Sequence, residues 1–153
     1  MYSDFKALLA KNLIPYQENE LLDRHSNWKT GGKALFFVEP NSTDQISHLL
    51  KYLHVSGLPF ETIGYGTNIL FDDQGYNGVI IKIGSNLKKV TFKGNRVTAE
   101  SGIWVPCFAR TLASRGYSGL EHIVGIPGSL GGLIAMNGGS QRRGISENGV
   151  KVW

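Results

Sequence analysis

Residues 125–139 read Gly125-Ile126-Pro127-Gly128-Ser129-Leu130-Gly131-Gly132-Leu133-Ile134-Ala135-Met136-Asn137-Gly138-Gly139, and this stretch decides which folds are open to the chain. Eight glycines fall between Gly125 and Gly149, interleaved with apolar residues instead of Ser or Gln. That composition describes a folded loop in which backbone approaches something closely, because glycine has no Cβ and tolerates positive φ. Pro127 fixes one φ, while Gly128, Gly131 and Gly132 leave others free around Ser129. A planar ligand can lie against such backbone, with Asn137 supplying an acceptor and donors to a heterocycle edge. A glycine-rich crossover packed under a helix accounts for the same residues without a ligand.

A second glycine site, Gly64-Tyr65-Gly66-Thr67-Asn68, directly follows the strand candidate Phe60 to Ile63. A turn there exposes consecutive N–H groups that can form an anion-binding nest for a phosphate or pyrophosphate, and Thr67 and Asn68 add a hydroxyl and an amide. A tight strand connection is the plainer alternative. The segment is not a GxGxxG dinucleotide fingerprint, since position 69 is Ile and no amphipathic helix follows Asn68. No GxxxxGK[ST] loop occurs either, which removes P-loop nucleotide triphosphatases. Gly31-Gly32, ahead of a strand candidate, means little alone.

Around these sites, hydrophobic period gives the elements. Ser3 to Asn12 patterns as a short amphipathic helix carrying Phe5, Leu8 and Leu9, with Ser3 as its cap. Lys33 to Val38 reads as a strand. Ser42 to Val55 places Ile46, Leu49, Leu50 and Leu53 at helical spacing and stops at Gly57. Phe60 to Ile63 and Val79 to Ile83 read as short buried strands. From Leu87 the period becomes two, giving a hairpin through Gly94-Asn95, followed by a helix from about Val105 to Arg115. The expected organisation is a first subdomain over residues 1–85 and a second, largely antiparallel one over 86–153.

Bulk properties narrow the function classes. The 153 residues carry a formal net charge of +4 and a pI near 9.2, which suits an anionic partner without selecting one. No basic run, groove-reading helix or stacking platform appears, so nucleic-acid binding is not expected. Cys107 is the only cysteine, which removes internal disulfides and multi-cysteine metal sites and points to the cytoplasm. It is expected to be a buried packing thiol in the start of the Val105 helix. No stretch reaches the roughly 18 apolar residues of a bilayer span, and no signal-peptide pattern opens the chain.

Taken in order, the motifs resemble the UDP-N-acetylmuramate dehydrogenase family, the UDP-N-acetylenolpyruvoylglucosamine reductases. Asn27 to Pro40 is similar to the family's NTxxxGGxA segment, Ile63 to Ile81 to GxGSNxLxxDxGxxGxVI, and Gly119 to Gly139 to GLExxxGIPGxxGGxxxMNxG. The resemblance covers roughly Ser26 to Val152. It implies an α+β fold, a vanillyl-alcohol-oxidase-type FAD-binding module made of a small α/β subdomain and a second mixed one, with FAD between them. It places Gly64, Tyr65, Gly66, Thr67, Asn68 and Ile69 around the FAD pyrophosphate, with Thr67 in place of the commoner Ser. Gly125, Ile126, Pro127, Gly128, Ser129, Gly131 and Gly132 would line the rest of the cofactor, and Asn137 and Gly138 would sit near the flavin.

The resemblance also implies a reaction in which NADPH reduces FAD and the reduced flavin acts on the enolpyruvyl double bond of a nucleotide sugar, in peptidoglycan precursor synthesis. Departures limit how much of this the chain is expected to perform. Asn137-Gly138-Gly139-Ser140-Gln141-Arg142 stands where the family continues NxGAYG, and Gln141-Arg142-Arg143 reads as a solvated loop. The family's YRxS arginine, its later Ser or Cys proton donor and its C-terminal Glu have no counterpart here. The expectation is therefore a truncated, inactive FAD-binding portion lacking the substrate-binding C-terminal domain; the alternative is a non-catalytic flavin- or nucleotide-sugar-binding paralogue. Neither Cys107 nor His122 is expected to substitute as an acid, and Glu121 is expected to hold backbone. Exposed strand edges would make a homo-oligomer plausible.

Overall fold

Gly78-Val79-Ile80-Ile81 are consecutively buried, and a run covered on both faces belongs inside a sheet rather than at its edge. In the computed structural model, which describes residues 2–148 and 150–152, two compact units meet in sequence at Asn86/Leu87. The first unit holds helix α1 (Tyr2–Lys11), strands β1 (Tyr16–Leu21) and β2 (Lys33–Val38), helix α2 (Thr43–Ser56), and strands β3 (Phe60–Ile63) and β4 (Tyr76–Lys82). Its sheet runs β1-β2-β4-β3. β1 is antiparallel to β2, while β4 lies parallel to both β2 and β3.

Each face of that sheet has its own cover. Phe5 of α1 packs edge-on against Phe36, with ring centroids 5.1 Å apart, and stacks on Tyr52 of α2 at 5.6 Å. Phe37 joins Leu22, Ala34, Ile63 and Ile80 in a second cluster. A shift of register between Ala34 and Phe36 puts Ala34 and Phe37, three residues apart, into the same cluster. α2 starts at Ser42, whose hydroxyl accepts the Gln45 amide, and ends at Gly57.

The second unit holds the hairpin β5 (Val90–Lys93) and β6 (Arg96–Ala99), helix α3 (Val105–Ser114), helix α4 (Leu130–Ala135), and the two-residue strands β7 (Gly139–Ser140) and β8 (Arg143–Gly144). Its strand pairs are antiparallel. Val105, Phe108, Ala109 and Leu112 form the buried stripe of α3 and pack with Ile123, Leu130, Leu133 and Ile145. Tyr117 fastens the hairpin by donating to the Gly94 carbonyl at 2.6 Å.

Several expectations change. β1 is an added edge strand that the polar sequence Tyr16-Gln-Glu-Asn-Glu-Leu does not announce. Ser3 sits inside α1 and donates to Asp4, so it caps nothing. β3 is half-exposed, because it too is an edge strand. Cys107 is exposed, since it lies off the stripe defined by residues 105, 108, 109 and 112. Gln141 and Arg142 take φ values of 56° and 64° as the two-residue turn between β7 and β8, a tight hairpin and not a loose loop.

Candidate functional site

β3 and β4 are parallel neighbours, yet no helix joins them. Residues 64–75 make the crossover as extended chain and turns, and this segment contains the Gly64–Asn68 motif. Ile69 and Phe71 anchor it by packing against the Leu22–Phe37–Ile80 cluster. Ser26, only 3% exposed, clasps it from outside: its hydroxyl donates to the Ile69 carbonyl at 3.2 Å and accepts the Trp28 amide at 3.1 Å. The Asn27 amide donates to the Gly66 carbonyl, and the Gly32 amide to the Asp72 carbonyl.

Gly66 is required for this clasp. Its φ is +69°, and a Cβ there would collide with the His25 carbonyl oxygen. The His25 ring stacks on Phe37 at 4.0 Å, with Nε2 3.0 Å from Glu20 Oε1 and Nδ1 3.4 Å from Lys82 Nζ. Backbone at 25–27 is thus fixed from two sides before it meets the loop. Among the described residues, no acceptor receives the Gly66 or Asn68 N–H. Two amides that flank Thr67 in one turn, left for an outside acceptor, have donor chemistry suited to an anion.

The Gly125–Gly139 stretch is more structured than its composition suggests. Ser129 is buried and caps α4 by accepting the Gly132 amide at 3.2 Å. Gly131 donates to the Ser101 carbonyl at 2.8 Å, and a Cβ on it would lie 2.8 Å from the Ser101 Cβ. Its missing side chain serves contact within the protein. Gly125, by contrast, has nothing within 4 Å of its would-be Cβ, so backbone there is open to approach.

Asn137 has a positive φ of 45°, and its Oδ1 accepts the Ser146 amide at 3.2 Å. It ties the end of α4 to the segment after β8, which composition alone did not reveal. Together with Ser140, Arg142, Arg143 and Glu147 it lines a shallow polar cavity of about 440 Å³. Arg143 Nε lies 3.6 Å from Glu147 Oε2. Gly138 packs its Cα side against Leu133.

Glu121 behaves as backbone holder. Its Oε2 accepts the Gly119 amide at 2.8 Å, and its own amide and that of Gly119 hold the carboxyl below the usual carboxylate range. Both ring nitrogens of His122 are buried without a partner among the described residues. Among the described residues, no group of His, Cys, Asp and Glu could hold a metal ion.

The amide donors of the Gly64–Ile69 loop have the chemistry to receive a phosphate. Residues 34–152 match the family model described as FAD binding domain. The chain belongs to that family and has its vanillyl-alcohol-oxidase-type fold. Within it, the chain is 43% identical over 127 residues to UDP-N-acetylenolpyruvoylglucosamine reductase 1 of Corynebacterium glutamicum, covering 83% of this chain and 38% of that protein. It is 40% identical over 139 residues to the reductase of Carboxydothermus hydrogenoformans, covering 91% and 46%.

Solved structures share the fold. The Thermus caldophilus UDP-N-acetylenolpyruvylglucosamine reductase aligns with a TM-score of 0.67 at 23% identity, over 86% of this chain and 44% of that one. A solvent-stable cholesterol oxidase aligns with a TM-score of 0.62 at 17% identity, over 84% and 25%. The chain spans under half the length of the curated relatives named above.

Proposed function

We propose that this chain is the FAD-binding region of a UDP-N-acetylenolpyruvoylglucosamine reductase acting in peptidoglycan precursor synthesis in the cytoplasm. The observation that carries the reading is the β3–β4 crossover. It is a glycine loop clasped by Ser26 and Asn27, with the Gly66 and Asn68 amides left for an outside acceptor, in a chain of the FAD-binding domain family.

In this reading the Gly64–Ile69 loop receives the pyrophosphate. Gly64, Tyr65, Gly66, Thr67, Asn68 and Ile69 form it, the backbone amides carry the charge, and Ile69 anchors. Gly125 offers open backbone to the remainder of the cofactor, with Ile126 and Pro127 following it. Gly128, Ser129, Gly131 and Gly132 shape that surface by setting where α4 begins, and Asn137 and Gly138 border the flavin. The chemistry supplied by bound FAD is the passage of reducing equivalents from NADPH to the enolpyruvyl double bond. This chain's own residues bind and orient; none of those described is assigned a proton-transfer role.

The 153 residues by themselves are expected to bind FAD without completing the reaction, because the match covers only 38% and 46% of the two relatives, which carry further residues beyond it. The purified protein should retain the two visible absorption bands of oxidised flavin. Supplied with NADPH and the enolpyruvyl nucleotide sugar, it should show no turnover. Robust turnover would overturn the division of labour, and a colourless protein that refuses added FAD would overturn the cofactor assignment.

A further inference from the structure

We propose that Trp28 is a stacking residue for a ring of the nucleotide held at the Gly64–Ile69 loop. Trp28 is 67% exposed, although an indole gains much from burial and a tryptophan covers 150–250 Å² when packed, on the order of the largest side-chain contributions known. Its position is nevertheless fixed. The Trp28 amide donates to Ser26 Oγ, which also donates to the Ile69 carbonyl, so one buried hydroxyl ties the residue to the far end of the loop. The preceding residue, Asn27, donates to the Gly66 carbonyl at 3.0 Å. Lys29 then closes the turn onto the Ser26 carbonyl and takes a left-handed φ of 55°.

Backbone strain and a buried clasp that leave the largest aromatic outside are what a binding surface requires and what packing alone does not. Leu70, next to Ile69, is also 71% exposed, so a second exposed apolar side chain directly follows the loop. In the proposal a phosphate at the Gly66 and Asn68 amides carries its attached ring toward the indole, whose neighbour Asn27 is hydrogen-bonded to the loop at Gly66. Trp28 lies within the Asn27–Pro40 segment, but at a position that contributes no loop amide and no capping group. The proposal rests on the assignment of FAD to this loop.

The test is titration of the protein with FAD, FMN and ADP, followed by flavin absorbance for the first two and by tryptophan emission for all three. FAD should quench the emission of the wild-type protein. Trp28→Ala should weaken FAD about tenfold, in the range of a base–aromatic stack, with no change of melting temperature because the side chain is exposed. Trp28→Phe should restore most of the affinity. If ADP alone shows the same Trp28 dependence, the stacked ring is adenine; if FMN alone does, it is the isoalloxazine. Wild-type protein that binds FAD equally well as Trp28→Ala overturns the stacking role and leaves the cofactor assignment intact. Wild-type protein that binds none of the three overturns the cofactor assignment and the stacking role with it.

Discussion

Gly57 and Gly66 both have φ +69°, yet a Cβ on Gly57 meets nothing within 4 Å while one on Gly66 strikes the His25 carbonyl. The pair therefore separates backbone strain from steric exclusion. Placing alanine in the left-handed region costs about 1 kcal/mol, and Gly57→Ala should lose only that. Gly66→Ala carries the same strain and must also push the loop away from residues 25–27. The displacement breaks the Asn27-to-Gly66 and Ser26-to-Ile69 hydrogen bonds, each worth about 1 kcal/mol. Its total should be about 3 kcal/mol. For a unit the size of Met1–Asn86 the difference between the two variants corresponds to roughly 10 °C in melting temperature. Thermal unfolding followed by far-ultraviolet circular dichroism reads it. If Gly66→Ala melts within about 3 °C of Gly57→Ala, the clasp does not hold the loop.

Two further outcomes follow from the second unit. Ser129→Ala removes the side-chain cap of α4 and should cost about 1 kcal/mol in a denaturant titration, with Ser129→Thr close to wild type; an unchanged alanine variant would show that the helix needs no cap. Glu121 has a carboxyl lowered by its own amide and that of Gly119. A depressed folded pKa stabilises above the unfolded value and loses that contribution as pH falls through the folded one. Glu121→Gln should accordingly flatten part of the acid limb and lower stability above it, with the slope of the alkaline limb unchanged. Carbon NMR of the carboxyl, if it titrates at or above the ordinary glutamate range, contradicts the hydrogen-bonded holder.

Elements with a strong period were readable. α2 follows from Leu49, Leu53 and the Ser42 cap, and the β5–β6 hairpin follows from the alternation around Gly94-Asn95. β1 was not readable, because an edge strand carries little burial to pattern its sequence: Tyr16, Gln17, Glu18 and Asn19 are all exposed. α4 was hidden by its two glycines, which lower helix propensity, although Ser129 three residues before Gly132 was a usable capping signal. The exposure of Cys107 was within reach, since the 105, 108, 109, 112 stripe leaves residue 107 on the outer face. The family motifs pointed to a cofactor loop but not to what holds it, because Ser26 is distant in sequence from Ile69 and nothing local announces their bond.

That bond changes how the motif residues are understood. A parallel crossover without a helix cannot satisfy its own backbone in regular structure, so it needs partners brought from elsewhere in the chain. Gly66 and Ile69 meet this need: one admits the His25 carbonyl, and the other docks on the core. The same holds in the second unit, where Ser129, Gly131 and Gly132 are committed to the start of α4. Residues conspicuous by sequence are therefore largely those that build the crossover loop and the start of α4. In the proposed reading the groups that face the ligand are less conspicuous: the amides of Gly66 and Asn68, the open backbone at Gly125, and the exposed indole of Trp28. Substitutions in the first set should act through stability and in the second through affinity, so measuring both for each variant separates construction of the site from contact with its ligand.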